Sequence, residues 1–84
     1  MDAKHRKTLA AIFENPIRAD IAWKDIAALL NALGAHVRQG QGSRLRVTLG
    51  AVRMTFHEPH PEKTTDKGAL KTVRLFLEKA GVKP

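Results

Sequence analysis

The sequence predicts an α+β fold: a three-stranded antiparallel sheet with helices packed on one face, in the order α-α-β-β-β-α. Three observations predict it. Apolar residues recur at a helical period from Lys4 to Leu33 and again from Asp66 to Ala80. Between Ala35 and His57 the period falls to two, the spacing of a strand with one buried side. Glycines punctuate that middle stretch at Gly40, Gly42 and Gly50, where the chain must reverse. A sheet with a single apolar face needs cover, and amphipathic helices supply it, so the opposite face is left to water.

The first helix is expected over Lys4 to Glu14, with Leu9, Ile12 and Phe13 on one side. Asn15-Pro16 stops it, because the proline ring disfavours helical geometry in the residue before it. Pro16 to Ala22 reads as a connection. Trp23 to Leu33 is a second helix with Ile26, Leu29, Leu30 and Leu33 as its apolar stripe, and Gly34 supplies the left-handed residue that ends it. Trp23 reads as a packing residue at its start. Strands follow over Ala35 to Gln39, Ser43 to Leu49 and Val52 to His57, joined by Gly40-Gln41-Gly42 and by the two-residue turn Gly50-Ala51. Glu58 to Thr64, with Pro59 and Pro61, reads as loop. Thr64 or Thr65 is expected to cap a last helix from Asp66 to Ala80, buried through Leu70, Val73, Leu77 and Ala80 and stopped by Gly81.

The totals bound the function. Eighty-four residues suffice for one small core. Fifteen Lys and Arg against eight Asp and Glu give a net charge of +7, which biases the partners toward polyanions or an acidic protein. The absence of cysteine excludes disulfides, thiolate metal sites and a cysteine nucleophile, and makes a cytoplasmic location the default expectation. No apolar run approaches the ~18 residues of a membrane span.

The hairpin at Gly50-Ala51 sets a register that sorts the charges. Leu49 faces Val52, and outward from it Thr48 pairs with Arg53, Arg46 with Thr55, and Arg44 with His57. Arg44, Arg46, Thr48, Arg53, Thr55 and His57 then share one face, joined by His36 and Arg38 from the first strand. Wet faces of antiparallel sheets often carry charge for solubility alone. Here no carboxylate stands in any of the three strands, although like charges opposite each other cost stability. Guanidinium groups make paired hydrogen bonds to phosphate oxygens, so the pattern fits a phosphate-binding surface of Arg38, Arg46, Arg53 and Thr55. Ser43, beside Gly42, suits a turn or a phosphate hydrogen bond, since no Ser-His-Asp arrangement accompanies it. His57 and His60 are the candidates for proton transfer, because imidazole titrates near neutrality. His57-Glu58-Pro59-His60 without a third ligand does not define a metal site.

Trp23 to Ala35 (WKDIAALLNALGA), Val37 to Val47 (VRQGQGSRLRV), Pro59 to Pro61 around His60, and Lys67-Gly68-Ala69-Leu70 through Ala80-Gly81 stand in the order and spacing of one family. Over Trp23 to Val82 the chain resembles the HicA-type toxins of bacterial type II toxin-antitoxin systems. The resemblance implies a fold like the double-stranded-RNA-binding domain and an mRNA interferase activity, that of a ribonuclease that stops translation. It also implies an RNA (mRNA) substrate and neutralisation by a HicB-type antitoxin protein, with no cofactor. Residues 1–22 are then an N-terminal helical extension, and 23–84 the HicA-like domain. Typical members carry a histidine regarded as catalytic just after the Gly-Ser, and Arg44 stands in that place here. His57, opposite Arg44 in the register, is expected to bring an imidazole to nearly the same spot, with His60 or water as the acid and Lys67 joining the RNA-binding set. Two other readings remain: a non-catalytic RNA-binding module that has lost the usual histidine, and a basic face that only docks an acidic protein.

Overall fold

The computed structural model describes residues 2–42, 44–57 and 64–84. Helix α1 (Ala3–Ile12) is opened by Asp2, whose carboxylate accepts from the backbone N–H of His5. It ends at Phe13, just ahead of Asn15-Pro16, as the proline dictates. A short strand β1 (Ile21–Ala22) runs directly into α2 (Trp23–Ala32). Gly34, at φ 85°, closes α2: its N–H donates to Asn31 O, and that of Ala35 reaches back to Leu30 O, both at 3.0 Å. This double bond satisfies carbonyls that the helix end would leave bare. Helix α3 (Lys67–Lys79) ends in the same way, with Gly81 at φ 78° and bonds to Glu78 O and Leu77 O.

Between α2 and α3 lie β2 (His36–Gln39), β3 (Arg44–Leu49) and β4 (Val52–His57), an antiparallel sheet in the order β2-β3-β4. The register is the expected one, from Leu49 opposite Val52 to Arg44 opposite His57. Gly50 sits at φ 60° while Ala51 keeps a negative φ, the combination of a type II′ turn, whose twist matches that of the strands. An alanine at position 50 is strained at this positive φ, which glycine adopts without a Cβ penalty. We expect Gly50→Ala to lower stability by about 1–2 kcal/mol in urea denaturation, with the fold retained.

The sequence reading needs three corrections. Ile21 and Ala22, read as connection, pair antiparallel with β5 (Thr64–Thr65) and form a second, two-stranded sheet. The pairing is non-local and two residues long, too short to show a periodicity. Thr64 and Thr65 therefore do not cap α3; Asp66 does, its carboxylate accepting from the backbone N–H of Ala69 at 2.7 Å. Phe76, absent from the expected stripe of α3, is fully buried, whereas Ala80 is the half-buried cap residue. Val37 stays 39 % exposed although it points to the apolar side, because β2 is an edge strand at the margin of the helix cover. Of the stretch Glu58 to Thr64, read as loop, residues 58–63 lie outside the described residues and Thr64 stands in β5.

The core draws on every layer. Ile26, Leu29 and Leu30 of α2, Val47 and Phe56 of the sheet, and Leu70, Val73, Phe76 and Leu77 of α3 form one buried cluster. Phe56 is the aromatic centre, edge-on to Phe76 at 5.7 Å and to Trp23 at 6.3 Å between ring centroids. Trp23 thus packs, as its place at the start of α2 suggests. Leu9, Ile12 and Ile21 belong to the same cluster. Helix α1 lies against α2 and α3, and Arg74 of α3 fastens its end: Nε donates to Ile12 O at 2.9 Å and Nη2 to Glu14 O at 2.8 Å, with the guanidinium 5.7 Å from the Phe13 ring centroid. No helix among the described residues is long and apolar enough to cross a membrane.

Candidate nucleic-acid interface

Alternation decides which side chains reach the open face. Along β3, Arg44 and Arg46 are exposed while Leu45 and Val47 are buried; along β4, Arg53, Thr55 and His57 are exposed and Phe56 is buried. Strand β2 adds His36 opposite Thr48 and Arg38 opposite Arg46. The face therefore has three cross-strand rows: His36-Thr48-Arg53, then Arg38-Arg46-Thr55, then Arg44-His57. Residues directly opposite in such rows stand ~5 Å apart at their Cβ atoms. The expected pairing of Arg44 with His57 is thus present, and both side chains are exposed.

Two shallow hollows open on this face. One, of about 570 Å³, lies over the middle rows between Arg38, Arg46, Arg53 and Thr55. The other, of about 700 Å³, lies at the β2–β3 hairpin end, lined by Arg38, Gln39, Gly40, Gln41, Arg44 and Arg46. A third depression, of about 290 Å³, joins the sheet to the start of α3 and holds Thr55, His57, Asp66 and Gly68. The Asp66 carboxylate there is already committed to the α3 cap. Lys67, exposed at the first position of α3, stands between Asp66 and Gly68 beside that depression. Two other expected site residues, Ser43 and His60, lie outside the described residues. Among the described residues no cluster of three or more His, Cys, Asp and Glu side chains is placed to hold a metal. Gln41 and Asp66 were not singled out from the sequence; only the position of Gln41 between two turn glycines hinted that its side chain would border the basic face.

Elsewhere the charges mix signs. Arg18 reaches Glu14 at 3.2 Å and forks onto Asp20 (2.7 and 3.0 Å), and that fork holds the Asp20 carboxyl below the usual range. Lys4 pairs with Asp25, and His5 lies 3.7 Å from Asp2. Among the described residues, no salt bridge touches Arg38, Arg44, Arg46 or Arg53. With Arg38 directly opposite Arg46, the face carries a standing repulsion. We expect Arg46→Gln to stabilise the fold by about 0.2–1 kcal/mol at low ionic strength. Thermal melts in rising salt should show that gain shrinking, since added ions screen exposed charges.

Helices on one side of a three-stranded antiparallel sheet, with a basic face left open on the other, define a small α+β domain with a fold like that of the double-stranded-RNA-binding domain. The chain belongs to the HicA family: the model described as "HicA toxin of bacterial toxin-antitoxin" matches residues 23–82. It is thereby related to the toxins of bacterial toxin-antitoxin systems, which pair with antitoxins. No curated protein and no solved structure matches the chain. The matched stretch opens at Trp23, the first residue of α2, and contains the whole basic sheet.

Proposed function

We propose that this protein is a metal-independent endoribonuclease of the mRNA interferase kind, the toxin of a type II pair, acting on mRNA in the cytoplasm and silenced by a HicB-type antitoxin. The observation that carries the reading is the placement of Arg44 opposite His57 on an exposed, carboxylate-free sheet face. His57 takes the proton of a ribose 2′-hydroxyl as that oxygen attacks the adjacent phosphorus. Arg44 and Arg46 stabilise the charge that builds on the phosphoryl oxygens. The bond to the 5′-oxygen breaks, that oxygen takes a proton from water or His60, and a 2′,3′-cyclic phosphate remains. Arg38, Arg53, Thr55, Ser43 and Lys67 hold the flanking backbone. Residues 23–84 carry this chemistry, and residues 1–22 brace it through the core.

An antitoxin that covers the face must present carboxylates to it, which supports an acidic surface on the partner. The presence of Arg44 where typical members have histidine favours one competitor, a module that binds RNA and leaves it whole. Incubation with single-stranded RNA in EDTA separates the two: cleavage to cyclic-phosphate ends is expected, and salt-sensitive binding without cleavage would support the competitor.

A further inference from the structure

We infer that the hollow at the β2–β3 hairpin end is a base-reading subsite in which the Gln41 side chain recognises adenine. This deepens the RNA-cleaving reading and rests on it. The hollow is lined by three arginines, Arg38, Arg44 and Arg46, together with Gln39, Gly40 and Gln41. Its volume, about 700 Å³, is within the range that accepts a small ligand. Arginines engaged with phosphate do not tell one base from another, although a guanidinium free of phosphate would pair with the O6 and N7 of guanine. A primary amide can, because its donor and acceptor together match the N6 and N7 edge of adenine, whereas a uracil offers no such pair.

The position of the hollow says which nucleotide it would read. Arg44 belongs both to its wall and to the pair with His57, so a base seated there lies on a nucleotide next to the phosphate under attack. The tight build of the hairpin holds Gln41 at that wall. Gly40 donates to Arg44 O at 2.7 Å, and Arg44 returns a longer bond, 3.4 Å, to Gln41 O. A Cβ on Gly40 would stand 3.3 Å from Arg44 O and 3.4 Å from Arg44 Cβ, so the glycine serves close approach of the two strands rather than an unusual φ. The Gln41 side chain, exposed at the tip, is left to face the hollow and solvent.

The test uses short 2′-O-methyl oligonucleotides of A, C, G and U, which lack the attacking hydroxyl and so bind without being cut. Fluorescence anisotropy should show the full chain preferring oligo-A over oligo-U by about tenfold, in line with one paired base contact. Gln41→Ala should lower oligo-A binding to the level of oligo-U and leave oligo-U binding where it was, since the phosphate contacts remain. Gln41→Glu, which can only accept, should move the ranking toward cytosine, whose N4 donates. Equal binding of all four oligonucleotides by the wild type, or an unchanged ranking in Gln41→Ala, would overturn the base-reading subsite and leave the RNA interface standing. Failure of the wild type to bind any of them would overturn both.

Discussion

A chain beginning at Trp23 is expected not to fold, although the family match starts there. Removing residues 1–22 takes Leu9, Ile12 and Ile21 out of the buried cluster, and each of these is at most 6 % exposed. It also strips β5 of its partner strand β1 and leaves the Arg74 guanidinium without the carbonyls of Ile12 and Glu14. A buried side chain of this kind contributes about 1.5–3 kcal/mol, so the three together approach the 5–15 kcal/mol that a whole domain possesses. Far-UV circular dichroism of the 23–84 chain should show no cooperative thermal transition. The milder Ile12→Ala, which leaves α1 in place, should keep the transition and lose about 2–5 kcal/mol, because a fully buried site cannot close up over the missing methyl groups. A sharp melt from the truncated chain would mean that α1 decorates the core instead of completing it.

The parts of the fold that were legible in the sequence are those governed by local rules. The hairpin at Gly50-Ala51 is a two-residue turn flanked by strict alternation, and that suffices to fix the register from Leu49 opposite Val52 out to Arg44 opposite His57. The ends of α2 and α3 follow from Gly34 and Gly81 for a similar reason: a single residue type decides the local conformation. What escaped depends on contacts distant in sequence. The pairing of Ile21 with Thr65 joins two short polar-flanked segments that carry no pattern of their own, and it turned an expected cap into a strand. Arg74 looks like an ordinary exposed cation on α3 until the end of α1 arrives beside it. Within the site, the basic rows were readable because alternation puts them there, whereas the hollow beside Gln41 exists only once two strands approach at Gly40.

Cleavage of single-stranded RNA should fall by about 10²–10⁴ in His57→Ala, the usual contribution of a general base. The imidazole sits on an exposed face, so its removal opens no cavity, and the melting temperature should stay near that of the wild type. Arg44→Ala should lower the rate by a comparable factor through a different route, since it removes a donor to the phosphoryl oxygens and leaves the base in place. The two losses should not multiply in the double variant, because residues that act on one transition state behave as a unit. Undiminished cleavage by His57→Ala would remove the base from this strand altogether. Cleavage lost in both variants with RNA binding nearly intact would instead locate the chemistry between Arg44 and His57, where adjacent strands bring a guanidinium and an imidazole to the same patch of an otherwise unreactive sheet.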